Sequence, residues 1–182
     1  MFAGGWHYAA TMHSTSNSNT FDLNDAASSE QQRRAKYYLH PGQLFVSKEN
    51  HEVTTILGSC VAVCLWDAGA KIGGINHYLL PRFAGDGVAS PRFGDISIRE
   101  LLSTLIAIGC DRRRFQAKLF GGACVLEAFR ARKNHLGTQN VRTARELLAA
   151  EAIPVVGEDV GGDRGRKLIF TTGDGSAWVK EL

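Results

Sequence analysis

The chain has 182 residues, enough for one domain with a sizeable core, and a formal net charge of only +3. So slight a basic excess makes no case for nucleic acid or an anionic membrane surface as partner, and no apolar run approaches the roughly 20 residues of a spanning helix. Four cysteines without a dense framework, behind an N-terminus that lacks a basic region and an apolar core, point to free thiols in a reducing cytosol.

Residues 1–35 are dominated by Ser, Thr, Asn and other polar types, with too few apolar side chains to repay the entropy of ordering. They are read as a disordered N-terminal extension, and 36–182 as a single domain. Tyr38–Ser47 reads as a turn and then a strand. Val61–Trp66 and Ile72–Leu80 are apolar runs of strand period around the turn Asp67-Ala68-Gly69-Ala70, the pattern of a hairpin. A loop over 81–93 follows. Asp95 is placed to cap a helix whose apolar positions Ile98, Leu101, Leu102, Leu105 and Ile106 keep a 3.6 period up to Gly109. Arg112-Arg113-Arg114 reads as a solvated turn before the next strand, Phe115–Phe120, which Gly121-Gly122 closes. A short helix fits Cys124–Arg132, and Thr138 is placed to cap a long one with Val141, Ala144, Leu147 and Leu148 on one face. Strands follow at Val155–Val160, Lys167–Thr172 and Ala177–Glu181, the last pair joined by the tight turn Gly173-Asp174-Gly175. The order is that of an α+β fold, a mixed, mostly antiparallel and sandwich-like sheet core flanked by two long helices and a short one.

The chemistry gathers at the hairpin. Cys60 stands at the start of its first strand, just after Gly58-Ser59, and His77 lies well along the second strand. A hairpin brings such positions together, and a Cys beside a His is the minimal nucleophile–base pair. Backbone N–H groups of Gly58, Ser59 and Cys60 are candidates for an oxyanion hole. The bland alternatives are a buried cysteine acting as a small hydrophobe and a satisfied strand histidine. The polar pair Asn76-His77, interrupting an apolar run opposite the cysteine, favours the functional reading. Thr54, Thr55 and Asn76 are all possible orienting partners for the histidine. Asn76, Gly121 and Gly122 are candidates for the substrate groove. Cys60 and Cys64 lie about 13 Å apart along a strand, too far to share one zinc, so no metal or other cofactor is expected. The Gly-Gly pairs match neither a P-loop nor a dinucleotide fingerprint.

Thr-x-Leu-Gly-Ser-Cys-Val-Ala-Val-Cys-Leu-x-Asp, followed by Lys-Ile-Gly-Gly-x-x-His-x-x-Leu-Pro, resembles the CheD family of chemoreceptor glutamine deamidases. The likeness continues through Arg92-Phe93-Gly94-Asp95, Lys118-Leu119-Phe120-Gly121-Gly122-Ala123, Leu136-Gly137-Thr138-Gln139-Asn140-Val141 and Glu158-Asp159-Val160-Gly161-Gly162, covering about 39–181. One departure is Cys124-Val125, where many members have Ser or Asn and then Met after Gly-Gly-Ala. The resemblance implies that Cys60 is the nucleophile and His77 the base. It also implies that Thr54, six positions before the cysteine, orients the histidine. The implied reaction converts receptor glutamine to glutamate with release of ammonia. The implied setting is a cytoplasmic monomer that acts on receptor helices and binds a CheC-type phosphatase. Rival readings are another Cys–His amidohydrolase or protease, and a non-enzymatic adaptor.

Overall fold

Alternation along the strand Val61–Asp67 sorts the molecule into layers. Val61, Val63 and Leu65 face a core shared with helices, whereas Ala62 and Cys64 face a second core between two sheets. Both sides of this strand are therefore buried, which its nearly unbroken apolar sequence requires. In this computed structural model the described residues are 7–8, 34–85, 87–130 and 134–182.

The strands are β1 (His7–Tyr8), β2 (Ala35–Tyr38), β3 (Gln43–Ser47), β4 (His51–Leu57), β5 (Val61–Asp67), β6 (Ile72–His77), β7 (Phe115–Gly121), β8 (Val155–Val160), β9 (Arg166–Thr171) and β10 (Ala177–Glu181). The helices are α1 (Gly94–Ala107), α2 (Glu127–Arg130) and α3 (Leu136–Ala150). A middle sheet runs β3-β6-β5-β7-β8 and an outer sheet β1-β10-β9-β4-β2. Only β2–β4 and β7–β8 pair in parallel among these strands, so the expected mixed, mostly antiparallel α+β sandwich is what forms. Leu39, Val53, Leu57, Ile75, Phe120, Leu168 and Phe170 fill the space between the sheets. Ile98, Leu101, Leu102 and Leu105 of α1, with Val141, Ala144, Leu147 and Leu148 of α3, cover the other face of the middle sheet. Each such Leu, Ile, Val or Phe side chain contributes on the order of 1.5–3 kcal/mol on leaving water.

Several local expectations shift. Asp95 does not cap α1; Phe93 holds that position, and the Asp95 carboxylate accepts the Phe83 N–H from the preceding loop. Thr138 does not cap α3; His135 does, its Nδ1 accepting the Thr138 N–H. The three arginines form a 3-10 turn that is ion-paired: Arg114 makes two bonds to the fully buried Asp67, at 2.8 and 2.9 Å, and Arg112 pairs with Glu151. These contacts, with the Gly69, Ala70 and Asp111 N–H groups, hold the Asp67 carboxyl far below the usual carboxylate range. The reading of 1–35 as an extension falls almost wholly outside the described residues; within them, His7 and Tyr8 pair with Val179 and Trp178.

Candidate active site

The site is built where the two sheets meet at one end. The bridge Val61↔Tyr78 and the pair Cys64↔Ile75 set the β5–β6 register and bring Ala62 opposite His77. His77 and Cys60 therefore share the face turned toward the outer sheet, and Cys60 is the diagonal neighbour, a relation that puts Cβ atoms ~7 Å apart. Cys60 packs at the margin of the inter-sheet core, while His77 is buried within it.

Thr55, not Thr54, stands behind the histidine. Its Oγ1 lies 2.8 Å from His77 Nδ1. Strand alternation decides this: Val53, Thr55 and Leu57 point into the sandwich, and Thr54 sits half-buried on the outer face of β4. A hydroxyl has one proton, and Thr55 donates it to the Leu39 carbonyl at 2.8 Å. Its oxygen must then accept from His77 Nδ1–H, so the Nε2 nitrogen carries the lone pair. Nε2 is buried and has no partner among the described residues. A neutral imidazole of fixed tautomer thus presents a free base on the face it shares with a thiol.

Both groups are held neutral. Burial lowers the His77 pKa to about 4 from an ordinary 6.5, against a smaller opposing influence from the Leu39 backbone. Burial also pushes the Cys60 thiol up. Among the described residues no carboxylate orients the imidazole; a hydroxyl does. The pair is therefore a thiol and an imidazole at rest, not the ion pair that lowers a cysteine's pKa elsewhere.

The turn that carries Cys60 is tied at every carbonyl. Gly58 O accepts from Ala123 N–H and Cys60 O from Gly122 N–H, each at 2.8 Å, and Ser59 O accepts from Asn140 Nδ2 at 2.9 Å. The first two donors follow β7, where Gly121 and Gly122 have φ of +101° and +69°. A side chain at Gly121 would collide with the Cys60 carbonyl, and one at Gly122 with Val141. These glycines are buried clamps for the turn and do not form the wall of a substrate groove. Asn76 is not in a groove either. It is fully buried, and its Oδ1 accepts the Val63 N–H at 2.8 Å, replacing a rung of the β5–β6 ladder.

A cavity of about 330 Å³ opens one residue from Cys60, lined by Ser59, Cys124, Val125, Leu126, His135 and Leu136 among others. Val125, Leu126 and Leu136 are exposed around it, and Val125 packs over Gly58.

The CheD family model, described as chemotactic sensory transduction, matches residues 79–181. A relative from Anaeromyxobacter dehalogenans, named a probable chemoreceptor glutamine deamidase CheD 1, is 49% identical over 149 residues, covering 82% of this chain and 86% of its own. Relatives of the same description from Sulfurimonas denitrificans and Stenotrophomonas maltophilia are 44% and 43% identical, covering 80% and 79% of this chain and 93% and 72% of theirs. The chain belongs to the CheD family. The stretch shared with the Anaeromyxobacter protein is long enough to take in Cys60 and His77 wherever it begins. In this CheD chain the Cys124-Val125 departure falls on the cavity wall beside the Cys60 turn. Sequence reasoning missed the cavity and gave Asn140 no role; the only signal for either was the Gly137…Asn140-Val141 motif at the start of α3.

Proposed function

We propose that this CheD chain is a protein-glutamine deamidase acting on chemoreceptors, with Cys60 as nucleophile and His77 as base. His77 Nε2 takes the thiol proton as sulfur attacks the side-chain amide carbon of a receptor glutamine. The negative charge on the amide oxygen is met by backbone N–H groups at Gly58–Cys60. The C–N bond breaks, ammonia leaves with the proton that His77 returns, and a thioester remains. Water, deprotonated by His77, then attacks the thioester; the C–S bond breaks, the sulfur recovers its proton, and glutamate is the product. The observation that carries this reading is the tautomer: Thr55 leaves Nε2 as a lone-pair base on the face that Cys60 shares. The names of the relatives supply the substrate class. A cytoplasmic setting, a monomeric enzyme and a CheC-type phosphatase partner belong to the same reading, on the family resemblance alone.

The test is to incubate the protein with a receptor cytoplasmic fragment, measure ammonia, and read the mass gain of each Gln→Glu change. Cys60→Ala abolishes both signals. A fragment left unchanged by the wild-type protein while still forming a complex with it would mark an adaptor. Cleaved peptide bonds would mark a protease. Full activity in Cys60→Ala would remove the nucleophile assignment.

A further inference from the structure

Asn140 lies on α3, in the layer behind the middle sheet, yet it reaches both arms of the dyad. Its Nδ2 donates to Ser59 O and to Leu79 O, each at 2.9 Å. Ser59 precedes the nucleophile, and Leu79 follows the base by two residues. The amide group is planar, so its two N–H bonds diverge at a fixed angle, and one nitrogen sets the spacing of two backbone segments. The residue is itself anchored, because the Tyr78 hydroxyl donates to Asn140 O at 2.7 Å and Asn140 is fully buried. Gly137, one turn earlier, lets α3 approach closely, since a side chain there would collide with the Gly122 carbonyl. Gly122 in turn holds Cys60 O.

We propose that Asn140 is a positioning residue for the deamidation, fixing the separation of Cys60 and His77 from behind the sheet. This rests on the Cys60–His77 reading of the site. Asn140 touches no reacting atom. It acts through Ser59 and Leu79, so its removal misplaces the nucleophile against its base without altering the surface a receptor meets. A misplacement on the order of 1 Å at such a pair costs about 100-fold in rate.

The experiment compares kcat and KM on a receptor fragment for Asn140→Ala, Asn140→Asp, Tyr78→Phe and Leu148→Ala. Asn140→Ala and Asn140→Asp lower kcat by roughly 10- to 100-fold with KM changed less than about two-fold. Asn140→Asp keeps the side-chain volume and lacks the donors, so its loss is not one of packing. Tyr78→Phe removes only the hydroxyl that anchors Asn140 and lowers kcat by about three-fold. Leu148→Ala hollows the same helix two turns on; it lowers the melting temperature and leaves kcat within about two-fold. Wild-type kcat in Asn140→Ala, or in Tyr78→Phe should the Asn140 variants not fold, overturns the inference. So does a Leu148→Ala protein that loses kcat as Asn140→Ala does. The two readings fail differently: an active Cys60→Ala refutes the dyad, whereas an inactive Cys60→Ala beside a fully active Asn140→Ala refutes the positioning role alone.

Discussion

Replacing Thr55 by Val keeps the shape of the side chain and deletes one oxygen. That oxygen accepts from His77 Nδ1–H and carries the proton bound by Leu39 O, each over 2.8 Å. Both groups lie in the inter-sheet core, and each loses its partner at about 1–3 kcal/mol. The stability cost is then roughly 2–6 kcal/mol, less what the added methyl returns. The effect on rate is separate. Without Thr55 the proton on Nδ1 loses its side-chain partner, and a shift of about 1.4 kcal/mol toward the other tautomer removes tenfold of the competent base. A kcat lower by roughly 10- to 100-fold is expected, within the span of general-base catalysis. Thr55→Ser keeps the oxygen and retains most of the activity. Thr54→Val changes the half-buried outer face of β4 and leaves kcat within about two-fold. Ammonia release at saturating receptor fragment, with melting curves beside it, makes the comparison. A dead Thr54→Val beside an active Thr55→Val would refute the strand-alternation argument and the tautomer built on it.

The remaining predictions concern protons and backbone. His77 titrates at about 4 when folded and 6.5 when unfolded, so the unfolded chain binds the proton more tightly. The stability it confers, on the order of 3 kcal/mol, is complete above pH 6.5 and drains away between 6.5 and 4. Denaturant melts at pH 7 and 4.5 should show this loss in the wild type and a smaller one in His77→Gln; equal losses would contradict it. Because burial raises the Cys60 thiol, iodoacetamide should react with it at pH 7 more slowly than with a free cysteine, whose pKa is about 8.5. Rapid alkylation at pH 6 would instead reveal a resting thiolate. Gly121→Ala forces a side chain into a left-handed position against the Cys60 carbonyl and should cost about 1–3 kcal/mol with most of the activity. An unaltered melting temperature would show that the turn yields freely.

The hairpin was legible because two apolar runs flank turn residues, and the register that follows puts Cys60 and His77 on one face. Helices α1 and α3 were legible from their apolar spacing, although both caps were misassigned. Phe93 has no capping side chain, so Asp95 attracted the reading; His135 caps through a ring nitrogen, a rarer acceptor than the hydroxyl of Thr138. Thr54 is what the family resemblance implies, six positions before the cysteine, and a sequence position of that kind says nothing of the face on which a strand residue points. β4 itself was not recognised as a strand, and without it Thr54 and Thr55 were indistinguishable. Asn76, Gly121 and Gly122 were read toward the substrate because polar and glycine residues near a nucleophile suggest a surface. Their burial follows from layer packing, which is a long-range property. Asn140 was invisible for the same reason: its partners at Ser59 and Leu79 lie far away in the chain.

Thr55 belongs to the outer sheet, whereas Cys60 and His77 belong to the middle one. Its strand β4 is zipped to β9, from Glu52↔Thr171 to Leu57↔Arg166. During synthesis the cysteine and the histidine emerge early, but the strand that orients their proton finds its main partner only once residues 166–171 have left the ribosome. On the proposed Cys60–His77 mechanism, a base of the right tautomer is therefore expected only after the outer sheet has closed over the middle one.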